Sequence, residues 1–168
     1  MLYEGGIRSP LIAWAPGRID AAKAGTVNEA AVFAAFDLAP SVLKLATVAT
    51  PEGTTFDGED FSATLLGKGE TARKAPIFWR RPPDRKRVGD ASSPPLPDLA
   101  VRDGKWKLLC NFDGSNPKLY DLDADRGETK DLAAEEEEVV GRLAKAALAW
   151  NGAMPGDGAP AKRRKATR

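Results

Sequence analysis

Asp103-Gly104 stands between two short runs, Leu99-Ala100-Val101-Arg102 and Lys105-Trp106-Lys107-Leu108-Leu109. No other stretch limits the fold as much. A two-residue turn between twisted strands needs positive φ, and Asp-Gly tolerates it. The second run alternates polar and apolar residues, as a strand with one buried face requires. The reading is an antiparallel hairpin with Trp106 in the core and Lys105 and Lys107 on the wet face. Lys118-Leu119-Tyr120-Asp121-Leu122 offers a third strand after the turn from Asp113-Gly114 to Pro117. From about Glu135 to Trp150, Val139, Leu143, Ala146, Ala147 and Trp150 recur at helical spacing. Glutamates 135 to 138 oppose the positive end of that helix's dipole, and Asn151-Gly152 is its expected stop.

The first half is less constrained. Leu11-Ile12-Ala13-Trp14 reads as a buried strand with Trp14 in the core, ended by Pro16-Gly17. Residues 26–50 read as helical, with Asp37 as cap, Pro40 in a first turn, and Leu38, Val42, Leu43, Leu45 and Ala46 as the buried stripe. Phe61 to Leu66 reads as one or two helical turns. Ile77-Phe78-Trp79 reads as a strand inside a basic segment, Arg73 to Arg87, and Ser92 to Pro97 as a loop. The fold class is α/β: an α/β segment over 1–70, a small α+β unit of antiparallel sheet and helix over 71–152, and a basic tail over 153–168.

Composition removes several chemistries. The 168 residues include no histidine, which excludes His-activated nucleophiles, His bases and imidazole zinc sites. One cysteine, Cys110, excludes an intrachain disulfide and any CxxC site. No apolar run reaches the ~18–20 residues of a membrane span. Met1 to Ile7 lacks an export pattern, so a cytoplasmic location is the default expectation. The tail from Ala161 holds five basic groups, and without them 20 basic face 24 acidic residues, a balance of −4. A nucleic-acid function for the whole chain is therefore not expected.

Five motifs in order resemble one family. Tyr3-Glu4-Gly5-Gly6-Ile7-Arg8-x-Pro10-Leu11-Ile12 runs into Trp14-x-Pro16-Gly17-Arg18-Ile19. Phe36-Asp37-Leu38-Ala39-Pro40-Ser41 and Phe56-Asp57-Gly58 follow. Then come Ala100 to Leu108, and Leu119-Tyr120-Asp121-Leu122-x-x-Asp125-x-x-Glu128-Thr129-x-Asp131-Leu132. Together they resemble the second half of type I sulfatases, arylsulfatase-like sulfuric ester hydrolases of the alkaline-phosphatase superfamily. The resemblance implies the end of that family's mixed-sheet catalytic domain over 1–70, followed by its C-terminal sheet and helix. It implies hydrolysis of sulfate esters, on sulfated carbohydrates, with calcium and a formylglycine nucleophile in complete members.

The same resemblance shows what these residues lack. The family makes formylglycine from a C/S-x-P-S/T-R sequence. Here Cys110 is followed by Asn111-Phe112, and Ser93-x-Pro95 by Leu96-Pro97. The calcium carboxylates have no counterpart, and a sulfate-binding lysine would align two positions before Met1. No activity is expected from these residues alone, and a separate N-terminal half is a possible partner. The implied pocket edge is Glu4 and Arg8, for which a structural ion pair across the diglycine turn is the plainer reading. Trp79, Arg80 and Arg81, with Arg85, Lys86 and Arg87, offer a stacking ring beside guanidinium forks. A non-catalytic module binding sulfated glycan through that loop is the rival function. Asp57, Glu59 and Asp60 read as solvated turn carboxylates rather than a metal site.

Overall fold

The structure is a computed structural model that describes residues 1–69, 72–81 and 96–155. The elements in chain order are α1 (Glu4–Ile7), α2 (Leu38–Leu45), α3 (Ser62–Leu65), β1 (Ile77–Arg80), β2 (Leu99–Asp103), β3 (Trp106–Cys110), β4 (Lys118–Asp121) and α4 (Glu137–Ala153). Two compact units form: Met1–Arg8 with Phe78–Arg168, and Ser9–Ile77. No helix among the described residues is long and apolar enough to cross a membrane.

The first unit is a sheet of order β1-β2-β3-β4, with β2/β3 and β3/β4 antiparallel. Asp103 pairs with Trp106, so the hairpin loop is Gly104-Lys105, one residue later than the Asp-Gly reading. Gly104 has φ +57° at the first loop position, the pattern of a II′ turn. Strand alternation then divides the side chains. Leu99, Val101, Leu108, Cys110 and Leu119 face one way and pack on Leu143 and Ala147 of α4. Trp106 and Trp150 are partly buried against that core, and Phe78 stacks on Trp150 with ring centres 5.3 Å apart. The helix continues to Ala153, so Asn151-Gly152 form its last turn rather than its stop.

The opposite face is not wet. Ala100, Leu109, Tyr120 and Leu122 are covered there by Leu2, with Tyr3 and Trp79 against them. The sheet is thus filled on both sides, by the last helix and by the first residues of the chain. Lys107 lies on this second face, between Arg102 and Tyr120 in register. It is fully buried, not on a wet face as its alternation suggests. Alternation fixes which residues share a face; it says nothing about what covers that face.

In the unit Ser9–Ile77 the long helix is not formed. Within residues 26–50, helical structure is limited to a 3₁₀ turn at Ala35–Asp37 and to α2. Upstream, Asn28 Oδ1 accepts from Ala30 N and Ala31 N, each at 3.0 Å, a local turn that competes with helix. Leu38 and Val42 are exposed, and Ser41 is the buried residue of α2. Leu11–Trp14 forms no strand, and Trp14 is 85% exposed rather than core. A strand exists only through its ladder, and among the described residues nothing pairs with this segment.

Candidate functional site

Four residues fold α1. Gly6 N donates to Tyr3 O at 2.8 Å, and Arg8 N to Glu4 O at 2.9 Å. A Cβ on Gly6 would lie 2.5 Å from the Met1 carbonyl oxygen, so the turn requires glycine there. The turn aims Glu4 into the protein. Lys107 Nζ donates to Glu4 Oε1 at 2.9 Å, and Glu128 Oε1 also lies 2.9 Å from that ammonium. Glu128 Oε1 has no hydrogen-bond geometry, so that contact is coulombic, while Glu128 Oε2 accepts from Glu4 N at 2.6 Å. Side-chain exposure is 0% for Lys107, 11% for Glu4 and 3% for Glu128. The expected Glu4–Arg8 ion pair is absent, because Glu4 spends its charge on Lys107.

The Asp121-x-x-x-Asp125-x-x-Glu128 spacing now has a physical reading. Asp121 Oδ1 accepts from Asp123 N at 3.0 Å, and Oδ2 accepts from Lys105 Nζ at 2.7 Å. Asp125 accepts from Thr129 N at 2.7 Å and Lys130 N at 2.8 Å. These two carboxylates shape a turn that puts Glu128 at φ +55° and sends its side chain inward. A left-handed glutamate costs about 1 kcal/mol or more, and such strain persists only where the surroundings hold it.

Both turn carboxylates sit below the ordinary aspartate range, Asp121 through the Lys105 hydrogen bond and Asp125 through backbone N–H groups, first that of Lys130. A depressed folded-state value means stability that is complete above the unfolded value of about 4 and lost as pH falls through the folded value. The urea midpoint is therefore expected to hold between pH 7 and pH 5 and to fall steadily below about pH 4. Replacing both by Asn should flatten that acid limb.

Glu4, Lys107 and Glu128 together form a clamp on the first turn, and Arg102 pairs in register with Lys107 beside it. Burial lowers its guanidinium from the ordinary value, with Glu4 and Asp123 opposing that shift and Arg8 and Arg126 adding to it. Its Nε donates to Gly104 O at 3.2 Å. Arg8 is exposed. Arg8 and Arg126 thus lie near enough to Arg102 to repel its charge, and guanidinium forks suit a sulfate or carboxylate. Of this cluster only Glu4 and Arg8 were legible as candidates. Lys107 and Glu128 escaped notice because the contact spans 103 residues in sequence between Glu4 and Lys107.

The structure does not gather Trp79, Arg80 and Arg81. Trp79 packs toward Leu109 and Tyr120, whereas the Arg80 guanidinium lies 5.4 Å over Phe112, a residue of the α4 face. Arg81 pairs with Asp98 and its Nε donates to Pro97 O at 3.2 Å. Arg81, Asp98 and Phe112 help line an open hollow of about 430 Å³. Arg85, Lys86, Arg87 and the tail from Ala161 lie outside the described residues.

In the unit Ser9–Ile77, the motifs around Asp37 and Gly58 meet. Asp37 is fully buried; Oδ2 accepts from Ala34 N at 2.7 Å, Oδ1 from Glu59 N at 2.9 Å, and Arg73 pairs with it. Asp37 stands at the helix start, yet its side chain makes no cap bond to α2. The Arg73 guanidinium lies 5.3 Å from the Phe36 ring centre and 5.6 Å from that of Phe61. A Cβ on Gly58 would meet Phe36 O at 2.2 Å, so glycine alone permits this approach.

These residues do not fit a calcium ion. Among the described residues no three carboxylate or thiol side chains converge as a metal would need. Glu59 accepts from Ala75 N at 2.8 Å, and Asp60 from Ser62 N at 2.8 Å, so both are committed to backbone. Cys110 is buried in β3, and burial pushes its thiol up to about 11, so it offers no nucleophile.

Three comparisons bear on this geometry. A family model described as N-sulphoglucosamine sulphohydrolase, C-terminal, matches residues 1–149. Human Arylsulfatase A is 33% identical over 151 residues, covering 77% of this chain and 27% of that protein. The N-acetylgalactosamine-6-O-sulfatase of Bacteroides thetaiotaomicron is 27% identical over 155 residues, covering 84% and 27% respectively. The crystal structure of Ps i-CgsB shares the fold with a TM-score of 0.51 and 21% identity, over 68% of this chain and 23% of that one. The chain spans about a quarter of the length of the relatives it matches. With its sheet, terminal helix and ordered motifs, the chain belongs to the N-sulphoglucosamine sulphohydrolase C-terminal family: it is the C-terminal portion of a sulfatase.

Proposed function

We propose that this chain supplies the structural and substrate-facing C-terminal part of an enzyme that hydrolyses sulfate esters of sulfated carbohydrates. The observation that carries the reading is the family match over residues 1–149, joined to the clamp that fixes the segment carrying Glu4 and Arg8. Relatives named as arylsulfatase and as N-acetylgalactosamine-6-O-sulfatase support the reaction and the sugar substrate class. The chemistry needs a nucleophile, a cation on the sulfate oxygens, and groups that offset leaving-group charge. In this reading formylglycine and calcium come from the N-terminal portion of the complete enzyme. This chain contributes the Glu4–Arg8 turn at the pocket edge, with Arg8 exposed toward an anion and Glu4 turned inward to hold the turn.

The division of labour has a direct test. The purified chain, assayed with an aryl sulfate and with a sulfated disaccharide in millimolar calcium, is expected to release no sulfate. Turnover that tracks the chain through purification would overturn the proposal.

A further inference from the structure

Polar groups also converge at the open hollow beside Arg81, at the end of the sheet away from the Gly104 turn. Its volume of about 430 Å³ falls inside the range of roughly 300–1,000 Å³ typical of small-molecule sites. Asn111 follows β3 four residues after Lys107, so at ~3.3 Å per residue it stands roughly 13 Å from the clamp. The walls are held by backbone. Asp98 N donates to Cys110 O at 3.0 Å, Arg81 N to Asp98 O at 2.8 Å, and Phe112 N to Asp98 Oδ2 at 3.3 Å. Gly114, at φ +81°, donates its N–H to Asn111 O at 2.9 Å, and Asn111 N donates to Ser115 O at 3.0 Å, which closes the turn after β3. A site fixed in this way loses little freedom when it takes a guest.

The lining offers donors, acceptors and apolar surface together. Arg81 spends Nε on Pro97 O and Nη2 on Asp98, and its Nη1 donors meet no acceptor among the described residues. Asn111 Nδ2 donates to Ser115 Oγ at 2.9 Å, which leaves the Asn111 side-chain oxygen as an acceptor. Bonds from the Ser115 hydroxyl and its backbone N–H hold Asp113 below the ordinary aspartate range, so it stays ionised and accepts only. Phe112 and Leu96, both half-buried, supply the apolar wall. A sugar ring suits this mixture, because each hydroxyl both donates and accepts and the C–H face is apolar. The lining sets one guanidinium against the two carboxylates of Asp98 and Asp113, so a sulfate or phosphate is repelled. We propose that this hollow is a binding site for an uncharged sugar ring. The claim goes beyond the sulfate-ester reading, which needs no such site.

The isotope-labelled full chain is titrated with lactose, with cellobiose and with a sulfated lactose, and its amide signals are followed by NMR. Saturable shifts centred on residues 96–98 and 111–115 are expected with at least one uncharged disaccharide, with a dissociation constant on the order of 1–10 mM for so open a site. Two variants probe the lining. Asp113→Asn keeps the shape of the turn and exchanges an acceptor for a donor, and Asn111→Ala removes the uncharged acceptor. Binding should weaken about tenfold in the first and about fivefold in the second, with signals from α4 unmoved in both. The sulfated lactose should bind about tenfold more weakly than lactose. No shift with either uncharged sugar at tens of millimolar, shifts centred elsewhere, or unchanged affinity in both variants would each overturn the proposal. Equal or tighter binding of the sulfated sugar would overturn it too, and would make the hollow an anion site.

Discussion

Lys107→Met is expected to destabilise the sheet-and-helix unit by about 3–5 kcal/mol, because it leaves the inward-facing Glu4 and Glu128 without a cation. Guanidinium unfolding followed by tryptophan fluorescence measures this. The cause can be separated from simple misfit. Methionine is close to lysine in length, so packing changes little and the lost charge dominates. Adding Glu4→Gln and Glu128→Gln to Lys107→Met removes the stranded charges and should recover at least half of the loss. If the triple variant is no more stable than the single one, the ion cluster is not the reason for the loss. The effect should also be local: exchange protection is expected to fall in α1 and around Glu128 before it falls in α4.

Asp37→Ala is expected to cost a similar amount, about 3–5 kcal/mol, in the unit Ser9–Ile77. Arg73 is then left between two phenyl rings with its buried partner gone, and the Ala34 and Glu59 amides lose their acceptor. Each orphaned amide adds about 1–3 kcal/mol where water cannot reach it. Limited proteolysis should show the result as faster cleavage across residues 30–60, while the fragment containing β2 to α4 persists. Equal protease resistance in wild type and variant would contradict this assignment of Asp37.

The elements that were legible in the sequence are those whose cause is local. The hairpin, β4 and α4 follow from a turn at Gly104, read one residue early as Asp-Gly, from a period of two and from a period of 3.6. The unit Ser9–Ile77 was misread where local pattern and tertiary context part. Leu11–Trp14 has the residues of a strand but no ladder among the described residues, and Leu38 and Val42 of the stripe on α2 stay exposed while Leu43 and Leu45 are half-buried. The clamp was invisible for a different reason. Glu4, Lys107 and Glu128 sit in three separate motifs, and only the topology shows that the chain's first residues close the second face of the sheet. Alternation marked Lys107 as polar; coverage made it buried and paired. The motifs around Asp37 and Gly58 likewise looked like a cap and a loop, and prove to be two halves of one contact.

The central claim is that these residues do the work of a sulfatase's C-terminal portion. It is tested most directly by replacing the matched part of human Arylsulfatase A with this chain and assaying release of sulfate from an aryl ester in calcium. The expected result is a folded, monodisperse chimera with measurable turnover, lost when Lys107→Met is introduced. A chimera with native-like circular dichroism and a cooperative melt, yet no sulfate release, would contradict the account.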